Sequence, residues 1–215
     1  MIKKKGGKPL NDKFKQLPTE KQLAIFNASM EVFAKNDYKK ASTDDIAAKA
    51  GISKGLLFYY FHNKKTLYLE TYDYVIRVGR SAVDDPHLFE ITDFFELLTY
   101  ATEKKLQIMT KMPYLYYFAL RAFYSEKEEI SAPLKQKIGS DITEIYQFYF
   151  KNIDCSKFND GINPMQILNM LTWMSDGYIH LQQFTGEAVT LESMMEAFSN
   201  WVQLLKRASY KEEFQ

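Results

Sequence analysis

A single cysteine, Cys155, stands in a chain of 215 residues, so an intramolecular disulfide is impossible and a reducing compartment is the natural home. Long apolar runs are missing too. No stretch approaches the ~18 uninterrupted apolar residues of a membrane span. Met1-Ile2-Lys3-Lys4-Lys5 is followed by no apolar segment, so no secretory signal is expected. These absences suggest a cytoplasmic protein with no membrane partner. The three histidines, His62, His87 and His180, are scattered and give no metal-ligand spacing. Phosphate-binding glycine motifs are absent. Cys155 could be sketched as a nucleophile with His180, but it lies in a polar loop, 152–163, with no activating partner. The expectation is a protein that is not an enzyme and carries neither metal nor cofactor.

What is present is apolar residue and an uneven charge. A hydrophobic share of 46% supports a substantial core, and the net charge is only +1. That small sum hides a division. Residues 1–65 hold 14 lysines against six acids, a balance of +8, which leaves −7 for the remainder. A basic N-terminal unit facing a polyanion, attached to an acidic body, would produce this asymmetry. The acidic body slightly favours a cationic or neutral small-molecule partner, although solvated carboxylates explain its charge equally well.

Periodicity points to helices throughout. Strand-like alternation, hairpin turn dipeptides and solenoid-length repeats are absent. Residues 1–17 read as a flexible basic arm, either without a role or tracking DNA. A first helix starts at Pro18-Thr19, carries Leu23, Phe26, Met30 and Phe33 on one stripe, and stops at Asn36-Asp37. Thr43 is expected to cap a short second helix with Asp44 and Asp45 in its first turn. Gly51 supplies a break, and Ser53 caps a third helix reaching Phe61. Asn63 opens a long helix to about Val83. Pro86 precedes the next, and Pro113 starts one that runs to Phe123. Residues 126–151 form one or two helices interrupted near Pro133. Pro164 opens a helix to about Phe184, and Thr190 caps the last, from Leu191 to about Ala208.

Two short helices around Gly51, behind a longer packing helix, have the proportions of a helix-turn-helix. Such a motif needs a capped, positively polarised helix N-terminus with no bulk at its front, and Ser53, Lys54 and Gly55 provide it. The next stretch, Phe58-Tyr59-Tyr60-Phe61, cannot place four rings on one face of a helix. Leu57 and Phe61 can be partly buried, with Tyr59 and Tyr60 turned toward DNA phosphates, sugars and thymine methyls.

The run "IFNASMEVFAKNDYKKASTDDIAAKAGISKGLLFYYFHNKKTLY", Ile25 to Tyr68, resembles the DNA-binding domain of the TetR (tetracycline-repressor) family. That domain has a similar helix, a Thr-x-x-x-Ile-Ala-x-x-Ala-Gly-Val-Ser-x-Gly-x-Leu-Tyr-x-Tyr-Phe stretch, and a lysine beginning a fourth helix. The resemblance covers about a fifth of the chain. It implies a homodimeric transcriptional regulator, typically a repressor, whose helical body binds a small molecule and releases a pseudo-palindromic operator. Carried over by position, it implies that Thr43 caps the second helix and touches phosphate. It places Ser53, Lys54, Gly55 and Leu57 at the groove. Tyr59, Tyr60 and His62 would lie along the backbone, and Lys64 would hold a phosphate. The chain departs from the pattern in four places. Asp37 stands for a common Gly, Leu56 for Thr, Phe58 for Tyr and His62 for Pro, which leaves the operator sequence open.

The implied architecture is all-α. An arm (1–17) and a three-helix head (18–65) are joined by a long helix to an effector-binding and dimerisation body (66–215). The body is rich in rings and sulfurs, most of which serve its core. Candidates for lining a cavity for an apolar or aromatic effector are Met109, Met112, Tyr117, Tyr124, Trp173 and Tyr178, with Arg121 and Asp176 as polar contacts. The last two helices carry more apolar residues than one core-facing stripe needs, Leu205 among them, so they are expected to pair across a twofold axis. A dimeric DNA-binding protein with no effector is the alternative.

Overall fold

The computed structural model describes residues 12–126, 128–187 and 189–215; the lysine-rich start of the arm, residues 1–11, lies outside them. In chain order the helices are α1 (Asp12–Lys15), α2 (Thr19–Lys35), α3 (Thr43–Lys49), α4 (Lys54–Phe61) and α5 (Lys64–Val83). They continue as α6 (Phe94–Lys111), α7 (Pro113–Phe123), α8 (Ser131–Tyr149), α9 (Pro164–Thr185) and α10 (Leu191–Ser209). Among the described residues the only extended pairing is one isolated antiparallel bridge, Phe158 with Tyr210. The all-α expectation holds.

The chain forms two compact units, residues 1–81 with 111–144, and residues 82–110 with 145–215. In the first, α2 is the central element. Ile25, Phe26, Met30 and Phe33 are buried at the three- and four-residue spacing of one helical face. Asn36 ends the helix, its Nδ2 donating to the Val32 carbonyl at 2.9 Å. Arg121 of α7 fastens the same end. Its Nε donates to the Ala34 carbonyl at 3.0 Å, and a terminal nitrogen meets Asp37 at 2.7 Å.

Two sequence expectations need correction in this unit. The arm does not run loose to residue 17, because Phe14 on α1 is buried and lies edge-on to Phe26 at 5.3 Å and Phe61 at 4.8 Å. Pro133 does not interrupt α8 either; it sits in the first turn, where a missing N–H has no intrahelical carbonyl to lose.

The second unit is built on the α6 face bearing Phe94, Phe95 and Leu98, clustered with Phe198 and Val202 of α10 and with Tyr210. Asp93 caps α6 by accepting from Phe95 N and Glu96 N, and pairs with Lys157 at 3.0 Å. Burial raises the Asp93 pKa, but the Glu96 amide and Lys157 outweigh it and hold the carboxyl below its ordinary value. Thr190 caps α10 in a reciprocal capping box with Ser193. Leu205 belongs to this core and is almost wholly buried, so it cannot serve as an intersubunit contact.

Candidate nucleic-acid interface

The short helices α3 and α4 are fixed by caps that satisfy their first free amides. Ser42, not Thr43, caps α3, its hydroxyl accepting from Asp45 N at 3.2 Å. Thr43 is the first helical residue, half-exposed, with its hydroxyl beside that polarised end. Gly51 turns the chain at φ +67°, a conformation that costs glycine nothing. Ser53 then caps α4 by accepting from Leu56 N at 3.1 Å, as the sequence suggested.

Burial divides the α4 side chains cleanly. Leu57 and Phe61 are wholly buried at 0% exposure, whereas Leu56 is 37% and Tyr59 51% exposed. Leu57 is therefore a core residue that holds α4 in place, and the sequence-based groove assignment fails for it. Its neighbour Leu56 takes the outward position. Tyr60 is likewise buried, edge-on to Phe14 at 5.8 Å, so Tyr59 is the tyrosine of this pair that projects. Replacing Leu57 by alanine is expected to cost about 2–5 kcal/mol of stability. Thermal melting checks this, and an unchanged melting temperature would contradict the burial.

The front of α4 is open. A Cβ built on Gly55 would meet only the Ser53 hydroxyl, at 3.9 Å, so nothing inside the chain forbids a larger residue there. Lys54 stands beside it, its ammonium 2.8 Å from Asp44 in an exposed pair that holds it only weakly.

The far end of α4 is a tight turn. His62 has φ +63° and ψ −43°, and Asn63 N donates to the Phe61 carbonyl at 2.7 Å, which makes a three-residue γ-turn of the strained, positive-φ kind. Asn63 Oδ1 then accepts from Thr66 N at 2.8 Å and starts α5. Lys64 spans back across the head. Its ammonium donates to the Ala41 carbonyl at 2.8 Å and the Lys39 carbonyl at 3.2 Å, and lies 4.8 Å from the Tyr38 ring centre. Burial lowers the Lys64 pKa, and the nearby Glu128 and Glu129 only partly offset it. Lys64 thus locks the loop before α3; a phosphate contact would have to be made by its remaining N–H.

The family model described as bacterial regulatory proteins, tetR family, matches residues 25–71, which contain this whole arrangement. The chain belongs to the TetR family. Members of the TetR family are in general DNA-binding transcriptional regulators without enzymatic activity, and this chain is a transcriptional regulator of that family. Among curated proteins no relative is found. Solved structures extend the similarity of fold over nearly the full length. SmeT, the repressor of the Stenotrophomonas maltophilia multidrug efflux pump SmeDEF, is 15% identical with a TM-score of 0.67, over 94% of this chain and 95% of that one. The fatty acid degradation regulator FadR from Bacillus halodurans is 16% identical with a TM-score of 0.65, over 85% and 96%. NalD, the secondary repressor of the Pseudomonas aeruginosa MexAB-OprM efflux pump, is 17% identical with a TM-score of 0.62, over 90% and 98%.

The effector candidates of this TetR-family chain fall in both units. Met112, Tyr117, Arg121 and Tyr124 lie on or beside α7 in the first unit. Tyr117 and Tyr124 are exposed, whereas Arg121 is engaged with Asp37 and Ala34, which gives its guanidinium a structural task. Met109, Trp173, Asp176 and Tyr178 lie in the second unit. Met109 is half-buried on α6, and the Tyr178 ring stands edge-on to Trp201 at 5.8 Å. Asp176 accepts from or pairs with His180 at 3.2 Å, one turn along α9. Trp173 is 68% exposed, an orientation suited to an outer face rather than to a cavity wall. Sequence reasoning missed the Ser42 cap and the Phe14 anchor. Ser42 immediately precedes Thr43, and both are good caps, so composition alone could not choose between them. Among the described residues no helix is long and apolar enough to cross a membrane, and no group of three or more His, Cys, Asp or Glu could hold a metal ion.

Proposed function

We propose that the protein is a ligand-responsive repressor that holds a pseudo-palindromic operator as a homodimer and is released by a small, largely apolar effector. The observation that carries this reading is the empty front of α4, where Ser53 caps a helix whose second residue, Gly55, is small for no reason internal to the chain. A phosphodiester backbone or base edge needs that room. Lys54 and Tyr59 flank it, His62 stands at the turn beyond, and Thr43 presents a hydroxyl from α3. SmeT and NalD are described as repressors, and their shared fold supports the same role here.

Functionally, residues 18–65 read DNA while residues 66–215 bind the effector and dimerise, in the cytoplasm. Repression and release are two states of one equilibrium. An effector that binds better to the state with wrongly spaced heads shifts the population by its differential affinity alone, and α5 is the lever because it grows directly out of α4.

Salt titration tests the DNA-binding half. With ~6–10 phosphate contacts, duplex affinity should fall by roughly a thousandfold or more between about 50 and 200 mM salt, read by fluorescence anisotropy. Absence of binding at the lower salt, or an affinity indifferent to salt, would remove the basis for this reading.

A further inference from the structure

Lys105 lies near the middle of α6, on the wrong face for a solvated lysine. At 100° per residue, Phe94, Leu98, Thr102, Ile108 and Met109 all fall within about 60° of it. Phe94 and Leu98 on this face are buried in the core of the unit. Lys105 nevertheless keeps open surface, although protein surrounds it closely enough that desolvation pulls its pKa below the ordinary lysine value. Both conditions hold together when a side chain lines an internal space rather than the outer surface. Among the described residues it has no hydrogen-bond or ion-pair partner, and no charged group influences it; burial is the single cause acting on it.

A desolvated ammonium without a counter-charge is costly, by several kcal/mol before relaxation and water penetration soften it. Ordinary core packing gives no reason to keep a lysine there, since methionine would fill the same volume. The vacancy is for an anion. A single ammonium neutralises one negative charge and would leave a phosphate dianion under-compensated, and the surrounding face is apolar. We propose that Lys105 is the anion-binding group of the effector site, and that the effector is an apolar molecule bearing one carboxylate. This rests on the ligand-responsive reading above and refines it. It also reverses the expectation, drawn from the acidic charge of the body, of a cationic or neutral effector.

Decanoate and its uncharged counterpart decanol are suitable probes, with binding followed by isothermal titration calorimetry on the full-length protein. Wild type is expected to bind decanoate at least about tenfold more tightly than decanol. Lys105→Met should erase that ratio and Lys105→Arg should preserve it. Because Lys105→Met removes an unpaired buried charge, it should also raise the melting temperature, which shows that its loss of carboxylate preference is not misfolding. In lysines labelled by reductive 13C-methylation, the Lys105 signal should titrate below the others and move up when decanoate saturates the protein. No decanoate preference in wild type, a preference unchanged by Lys105→Met, or an ordinary Lys105 titration would each overturn the assignment. Release of DNA by decanol or another neutral probe, without carboxylate preference, would sink the role of Lys105 and leave ligand response standing. Release by no probe of either kind would sink both.

Discussion

Gly55→Leu is expected to leave the protein folded and to weaken DNA binding by roughly thirtyfold or more, the factor that about 2 kcal/mol represents. The fold survives because a Cβ at this position meets nothing closer than the Ser53 hydroxyl at 3.9 Å, and because leucine is a better helix former than glycine. Binding fails because the new side chain occupies the space in front of the capped end of α4, where the DNA backbone must come close to reach the first amides. Circular dichroism and anisotropy on the same preparation separate the two effects. A variant that melts like wild type and binds like wild type would show that DNA approaches elsewhere.

The second large effect concerns an apolar stripe on α9. Met170, Trp173, Gly177, Leu181 and Phe184 lie within about 40° of one line along the helix, at 100° per residue. Trp173 is 68%, Leu181 58% and Phe184 90% exposed, and Leu204 on α10 is 63% exposed. Such contiguous exposure is more than a monomer in water ordinarily carries. Gly177 interrupts the stripe with nothing within 4 Å of where a Cβ would be, leaving room for another helix to approach. A twofold-related copy of the same face is the proposed cover, and pairing there would set the spacing of two α4 helices for successive major grooves. Trp173→Glu combined with Phe184→Glu should therefore yield a folded monomer, by sedimentation, with operator affinity reduced at least a hundredfold through loss of the second half-site. A double variant that sediments as a dimer would place the seam elsewhere. Leu205→Glu, by contrast, should unfold the second unit, since Leu205 packs with Phe94 and Val202.

The difference between Leu204 and Leu205 shows where the sequence stops being legible. Caps, breaks and stripes are local, so Pro113, Gly51, Ser53 and Thr190 marked their helix ends correctly from composition alone. Which of two adjacent leucines faces the core depends on how α10 is rotated against its neighbours, and that is a tertiary fact. The same holds for Leu56 and Leu57 and for Tyr59 and Tyr60 on α4, where the periodicity of eight residues is too short to fix a face. Lys64 illustrates a third kind of limit. Its contacts with the carbonyls of Lys39 and Ala41 span more than twenty residues, and nothing in the local pattern announces them. Lys105 was readable in principle, as the one charge flanked at helical spacing by Leu98, Ile108 and Met109, but a lysine is ordinarily taken for surface.

Selection of bound duplexes from a randomised DNA library, with the full-length protein, tests the central claim most directly. Expected is one enriched sequence with twofold symmetry, its half-sites about one helical turn apart or a multiple of it, and no enrichment by the Gly55→Leu variant. Enrichment of an asymmetric site, or the same site enriched by Gly55→Leu, would contradict a paired reading of DNA through α4.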